Sequence, residues 1–321
     1  MRFIYIVVVV SLVSSCMSKV AIEIEEADKQ VVVNSILCTT DTATVSLSFT
    51  YPSFGESLIE VPLVNKVLIN SASKTFELIP ISESNGRVLY KGKFLPQSGI
   101  DYQLTVELVD GDRLTSLCTI PEAVEIDSFF LQNAIPEYEG DQPIDLKIRF
   151  KDPSNQTNYY MVGFTIYKSN QLYYYDPDEN FAEPEYGFVY KGYYFLSEVK
   201  VNLNIIEPLI GNVEFNKPKI LCFNDTKIDG NVYTLSLGIR DFFNDGFVEA
   251  LLFIPKLYAI NADTYLYYQS INKASENNES FITEPIVQFS NISGGLGIMG
   301  GMALSTDTLM LLKEDVFKKQ E

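Results

Sequence analysis

Residues 101–120 read DYQLTVELVDGDRLTSLCTI, and this stretch decides the fold class. Two strand-like runs, Asp101–Val109 and Arg113–Ile120, flank the turn residues Asp110-Gly111-Asp112. An Asp-Gly pair between two such runs favours the tight turn of a β-hairpin, because both residues tolerate the backbone angles that the turn needs. The segment therefore predicts an antiparallel hairpin in a mainly β protein.

The residues upstream of the hairpin extend the same pattern. Ala43–Thr50 alternates strictly, with Val45, Leu47 and Phe49 on one side and hydroxyl side chains on the other. That period of two is typical of a strand with one buried face. Further short runs separated by turn residues include Gln30–Leu37, Val67–Ile69, Thr75–Ile81 and Arg87–Phe94. Residues 30–122 are therefore predicted to form an immunoglobulin-like β-sandwich.

The residues after Pro121 predict a larger β-rich domain, 123–321, with one short helix. Its predicted strands include Ile144–Phe150, Tyr159–Tyr167 and Val232–Ile239. The helix is predicted over Thr264–Ala274, because Asn261-Ala262-Asp263 supplies the residue types that cap a helix start.

The N-terminus has the pattern of a bacterial lipoprotein leader. Arg2 precedes an apolar run too short to span a bilayer, and Val13-Ser14-Ser15-Cys16 resembles a lipobox. Residues 1–15 are therefore predicted to be a cleaved signal peptide, Cys16 to be lipidated, and residues 16–29 to be a tether. Several acyl chains on Cys16 would anchor the chain in a membrane without a spanning helix.

Charge and composition exclude several classes of function. The chain has a formal net charge of −18 and no histidine. Histidine-dependent triads and histidine metal sites are therefore excluded. A strongly acidic chain also argues against nucleic acid, whose phosphates need a positive surface. We expect no cofactor, no metal and no catalytic residues.

Three cysteines, Cys38, Cys118 and Cys222, follow the lipidation site. An exported protein can form disulfides, so a Cys38–Cys118 bridge across the sandwich is one interpretation. The favoured alternative is three small buried thiols.

Several short segments together resemble one family of Bacteroidetes outer-membrane lipoproteins, catalogued as domain of unknown function 4249. They are the lipobox at Cys16, Val31–Leu37, Tyr102–Gly111, Thr119–Pro121, Phe150–Pro153, Asn158–Tyr160 and Asn291–Gly297. Ile298-Met299 stands where the family usually has an aromatic pair. The resemblance implies an outer-membrane lipoprotein, often encoded beside TonB-dependent transporters, and implies no enzymatic activity. It leaves the partner, the oligomeric state and the periplasmic or surface orientation open.

Gly295-Leu296-Gly297-Ile298-Met299-Gly300 matches the letters of a dinucleotide-binding motif. That function needs a complete βαβ unit and a later acidic residue, and too little chain follows. We interpret these glycines as permitting a close crossing or bulge.

Half of the 20 tyrosines lie between residues 159 and 194. A tyrosine has an apolar face and a polar tip, which suits both protein interfaces and sugars. The favoured interpretation is that aromatic residues simply prefer strands, with a protein interface second and glycan binding third. The candidate residues for partner or glycan contact are Tyr173, Tyr174, Tyr175, Tyr190 and Tyr193.

An acidic segment lies between these tyrosines, with Asp176, Asp178, Glu179, Glu183 and Glu185. Such carboxylates occur in calcium loops and as glycosidase acid/base pairs. The spacing of an EF-hand is absent, so a solvated acidic loop is the favoured interpretation.

Asp41-Thr42-Ala43 and Asp307-Thr308-Leu309 resemble an O-glycosylation sequon of exported Bacteroidetes proteins, with Thr42 and Thr308 as acceptors.

These features predict a non-catalytic outer-membrane lipoprotein, an accessory or binding component of a TonB-dependent nutrient transporter. The alternatives are a surface glycan-binding module and a carboxylate-based glycoside hydrolase.

Overall fold

The prediction of a mainly β protein is confirmed. The computed structural model describes residues 28–51, 60–132, 135–136, 144–175, 188–199, 206–208, 221–239, 250–277, 287–312 and 317–318. The elements below belong to one unit, residues 30–50 and 59–321. The described residues 28, 29 and 51 belong to another unit.

The first seven strands fall in the range predicted to be a sandwich. They are β1 (Val31–Cys38), β2 (Thr44–Phe49), β3 (Val64–Ser71), β4 (Lys74–Ser84), β5 (Arg87–Lys91), β6 (Asp101–Leu108) and β7 (Arg113–Thr119). The alternation predicted for β2 is confirmed, because Val45 and Leu47 are fully buried and Phe49 packs against the same core.

The predicted hairpin is also confirmed. β6 and β7 pair antiparallel from Asp101 opposite Thr119 to Glu107 opposite Arg113. At the turn, Gly111 has a φ of 99°, which an L side chain rarely adopts.

The second half of the chain contributes twelve strands and one helix to the described structure. The strands are β8 (Ile126–Leu131), β9 (Ile135–Pro136), β10 (Ile144–Lys151), β11 (Tyr159–Tyr175), β12 (Phe188–Val199), β13 (Ile206–Pro208), β14 (Leu221–Asn224), β15 (Val232–Ile239), β16 (Ala250–Ile260), β17 (Leu296–Thr306), β18 (Leu309–Leu312) and β19 (Phe317–Lys318). The helix is α1 (Ala262–Asn277).

One large mixed sheet connects the two halves of the chain. Its order is β12-β11-β16-β17-β1-β2-β5-β4-β3-β6-β7, with β14 on β11 and β18 on β16. β17 runs parallel to β1, and β16 runs antiparallel to β17. A smaller sheet has the order β13-β15-β10-β8. The predicted domain boundary between residues 122 and 123 stays a prediction. β17 pairs with β1 from the first predicted domain and with β16 from the second.

Two hydrophobic cores stabilise the fold. One is built from β1–β7 and includes Ile292, Met299 and Ala303 from the C-terminal part of the chain. The other lies between the smaller sheet and strands β11, β14 and β16, where Phe150, Tyr160 and Phe253 are fully buried.

The predicted helix is confirmed, although it is longer than predicted at both ends. The Asn261 side-chain oxygen accepts from the Thr264 N–H at 3.1 Å, which is the geometry of an N-cap. The helix starts directly after this cap, at Ala262. In the described part of the chain, no helix combines the length and hydropathy that crossing a membrane requires.

Candidate functional site

Several predicted site residues lie outside the described residues. Cys16 and the leader are among them, so lipidation stays a prediction. The acidic segment from Asp176 to Glu185 also lies outside, so its interpretation as a solvated loop stays a prediction.

The predicted tyrosines fall in the paired strands β11 and β12. β11 pairs with β16 as far as Ser169. Beyond that residue, within the described ranges, β11 pairs only with β12, from Asn170 opposite Tyr194 to Tyr175 opposite Phe188. We call residues 170–175 and 188–194 the tyrosine ribbon.

The pairing register sorts the ribbon residues into two faces. Tyr173 stands opposite Tyr190, and Gln171 stands opposite Tyr193. The register shifts between Leu172 and Tyr173, which leaves an extra residue in β12. Because strand residues alternate between faces and a bulge resets that alternation, four of the five candidates occupy one face: Tyr173, Tyr175, Tyr190 and Tyr193.

Tyr174 occupies the other face, opposite Val189. The prediction grouped Tyr174 with Tyr173 and Tyr175 among the candidate contact residues, and the register places Tyr174 on the other face. Phe188, which the prediction left out, stands opposite Tyr175 and joins their face.

The tyrosine ribbon is poor in charge. Lys191 is its single charged residue, whereas 21% of the whole chain is charged. The core of a protein interface is likewise depleted in charge and rich in tyrosine and phenylalanine.

A second candidate site is a buried carboxylate network beside the tyrosine-rich strands. Asp152 and Asp225 are 1% and 3% exposed. One Asp152 oxygen accepts from the Tyr160 hydroxyl, and the other accepts from the Gly230 N–H at 2.8 Å. Asn158 donates its N–H to Asp225 at 2.7 Å and its side-chain amide to both carboxylates, at 3.3 Å and 3.2 Å.

Asp229 brings a third carboxylate to this network. Oxygens of Asp152, Asp225 and Asp229 lie within 4.8 Å of one another, a spacing suitable for a cation. Both oxygens of Asp152 already accept protein hydrogen bonds, however. The network therefore satisfies its buried carboxylates with protein donors and holds the β10–β11 and β14–β15 connections together.

Burial raises the pKa of the Tyr160 hydroxyl, and its hydrogen bond to Asp152 raises the pKa further. Tyr160 therefore stays protonated and remains a donor.

Two adjoining clefts of about 370 Å³ and 270 Å³ lie at the start of α1 and share Asn261 and Ala262. Among their lining residues are three carboxylates, those of Asp101, Glu122 and Asp263. One oxygen of each accepts a hydrogen bond, from Thr119, Ser98 and Asn291 respectively.

The glycine-rich segment has the structural role that its sequence predicts. A Cβ on Gly297 would lie 2.0 Å from the Val33 carbonyl oxygen, and one on Gly295 would lie 2.6 Å from that of Val31. Because these glycines have no Cβ, the chain at the start of β17 can approach β1 closely. The segment is a strand rather than a phosphate-binding loop.

The three described cysteines are buried and free. The alternative of buried thiols is therefore confirmed, and the Cys38–Cys118 bridge is wrong for this structure. Burial, together with the nearby carboxylates of Asp263 and Asp101, raises the pKa of the Cys118 thiol to about 12.

The two predicted acceptor threonines differ in exposure. Thr308 is exposed beside the start of β18, and its N–H donates to Asp307 at 2.7 Å. Thr42 is half-buried between β1 and β2. Modification of either residue stays a prediction.

The sequence motifs named some of these residues without showing how they meet. Asp152, Asn158 and Tyr160 belong to segments that carried the family resemblance, yet Asp225 and Asp229 were not singled out. The Asn224–Gly230 stretch has turn-forming residues, but its contact with Asp152 depends on long-range strand pairing.

A family model described as "Domain of unknown function (DUF4249)" matches residues 18–308. A search of the curated proteins finds no match.

Proposed function

The chain belongs to the family described as domain of unknown function 4249, and from that premise we propose a non-catalytic outer-membrane lipoprotein. Its proposed role is to bind a partner protein, an outer-membrane TonB-dependent nutrient transporter, as an accessory component. Lipid on Cys16 would hold the chain at the membrane, with residues 16–29 as the tether to β1.

The observation that carries the binding role is the tyrosine ribbon. Four tyrosines and Phe188 occupy one face of the paired strands β11 and β12. Aromatic side chains gathered on one face of paired strands suit a protein interface, whose core is rich in tyrosine and phenylalanine. The low charge of the ribbon reduces the desolvation cost of such an interface.

A protein partner is favoured over a carbohydrate because the chain has no tryptophan, the usual platform for sugar rings. The same aromatic face nevertheless supports a second candidate, a surface glycan-binding module. Tyrosine rings stack on apolar faces and donate through their hydroxyl groups, which suits a sugar.

Absence of histidine from the sequence supports the non-catalytic role, since the commonest general base is missing. The hydrolase alternative depends on the carboxylates between Asp176 and Glu185, which lie outside the described residues. Glycan hydrolysis by the purified chain would overturn the non-catalytic proposal.

Co-purification from the native outer membrane tests the proposal. The double variant Tyr173→Ser/Tyr190→Ser changes two facing positions of the aromatic face, and Tyr174→Ser makes the same chemical change on the other face. We expect the double variant to lose the transporter and Tyr174→Ser to retain it. Equal recovery of the transporter with both variants and the wild type would contradict the proposal. Loss of polysaccharide binding, with transporter recovery unchanged, would instead favour the glycan module.

A further inference from the structure

β17 occupies a position between the two halves of the chain. On one side it pairs in parallel with β1, through seven residue pairs from Val32 opposite Leu296 to Cys38 opposite Met302. On its other side it pairs with β16, from Lys256 opposite Thr306 to Ile260 opposite Met302. A strand made near the end of the chain therefore covers the edge of the first strand.

The residues just before β17 form hydrogen bonds with the β6–β7 hairpin. Thr115 and Ser293 exchange two backbone hydrogen bonds, at 3.1 Å and 2.8 Å. The Ser116 hydroxyl donates to the Asn291 carbonyl at 2.9 Å. The contact with the N-terminal half thus reaches β7 as well as β1.

The same segment supplies part of the N-terminal core. Met299 and Ala303 are fully buried and Ile292 is 7% exposed, all within the cluster formed by β1–β7. Without them, apolar side chains of that core would face water, which opposes folding.

The fit between this segment and the N-terminal half leaves no room for side chains at two points. A Cβ on Gly295 would lie 2.3 Å from the Leu114 side chain, and one on Gly297 would lie 2.0 Å from the Val33 carbonyl oxygen. Gly297 also has a φ of 112°. Both the approach and the backbone conformation require glycine there.

We infer that residues Asn291–Ala303, here called the closing strap, complete the N-terminal core. Strands β1–β7 therefore fold stably only after this C-terminal segment has packed against them. Before the strap inserts, β1 presents an unpaired edge from Val32 to Cys38, and strands with such edges pair readily with other chains. Contacts between residues so distant in sequence also form late, because closing a long loop costs entropy.

Hydrogen exchange on the full-length protein tests the closing strap. The informative amides are those of β2 and β5, which pair with each other and do not pair with the strap. Met299→Ala removes a buried strap side chain without changing the backbone, and we expect exchange in β2 and β5 to accelerate roughly a hundredfold. Gly297→Ala should accelerate it at least as much.

The matched control is Gly111→Ala in the β6–β7 turn. Gly111 also has a positive φ, of 99°, but a Cβ there would meet nothing within 4 Å. We expect its effect to stay close to the turn. If Gly297→Ala does not fold, Met299→Ala decides the outcome. Wild-type exchange in β2 and β5 of Met299→Ala would overturn the inference, and so would an equal acceleration in Gly111→Ala.

Discussion

The Tyr160 hydroxyl donates a hydrogen bond to the buried carboxylate of Asp152. Both residues lie in the core between the smaller sheet and β11, and Tyr160 is fully buried. A charged group in such a place is tolerated only when donors surround it, and Asn158 and Gly230 supply the others. Through the Gly230 N–H, Asp152 also links the β10–β11 connection to the loop that contains Asp225.

Tyr160→Phe should destabilise the protein by about 2 kcal/mol, because Asp152 would lose a donor in a buried site. Urea unfolding measures the loss. Tyr159→Phe is the matched control, since the neighbouring ring is half-buried and contacts Tyr265 through its face, at a centroid distance of 4.8 Å. We expect a change below about 0.5 kcal/mol for that variant. Equal losses in the two variants would contradict a special role for the Tyr160–Asp152 bond.

Asn158→Ala should be more damaging than Tyr160→Phe, by at least about 1 kcal/mol. The Asn158 amide donates to Asp152, to Asp225 and to the Pro153 carbonyl, so its removal leaves two buried carboxylates short of a donor. The comparison uses the same urea titration. Thr157→Ala, an exposed position in the same connection, serves as the control. A stable Asn158→Ala protein would show that the network contributes little.

The cap of α1 gives a third prediction. Asn261 accepts from the Thr264 N–H at 3.1 Å and from the Gly301 N–H at 3.2 Å, so its side chain serves both the helix and β17. Asn261→Ala should cost about 2 kcal/mol, at the upper end for a cap. Asn261→Asp keeps an acceptor and should retain most of the stability. If the two variants unfold at the same urea concentration, the cap interpretation fails.

The buried Cys118 thiol predicts how stability depends on alkaline pH. The pKa of Cys118 is raised from its ordinary value of 9.0 to about 12 in the folded chain. A raised pKa leaves stability unchanged below pH 9 and lowers it as pH rises toward 12, because the unfolded thiol ionises first.

Replacing Cys118 by alanine should therefore remove part of the alkaline loss, about 1 kcal/mol at pH 10. Unfolding free energies at pH 8 and pH 10 measure this difference. The comparison is with Cys38→Ala, at another buried thiol. An identical pH dependence in wild type and Cys118→Ala would contradict the assignment.

Local signals made the β6–β7 hairpin, the alternation in β2 and the helix cap predictable. Each depends on residues within a few positions of one another, and the turn chemistry of Asp110-Gly111 fixes which strands meet. The position of β17 was not predictable in this way. Its run of glycines has no period of two, and its partner β1 lies near the other end of the chain.

The same distinction between local and long-range information applies to the candidate site. Tyrosine enrichment between residues 159 and 194 is visible in the sequence, but the division of those tyrosines between two faces depends on a register shift in the ribbon. The meeting of Asp152 with Asp225 likewise depends on how β10, β11 and β14 pack, which no single segment encodes.

The aromatic face of the tyrosine ribbon is proposed to contact a partner protein. Site-specific photo-crosslinking in the native outer membrane tests it directly, with the photoreactive residue at position 173 or 190 and, as the control, at position 174. The proposal predicts a crosslink to the transporter from 173 and 190 and little or none from 174. No crosslink from 173 or 190, or crosslinks of equal strength from all three positions, would contradict it.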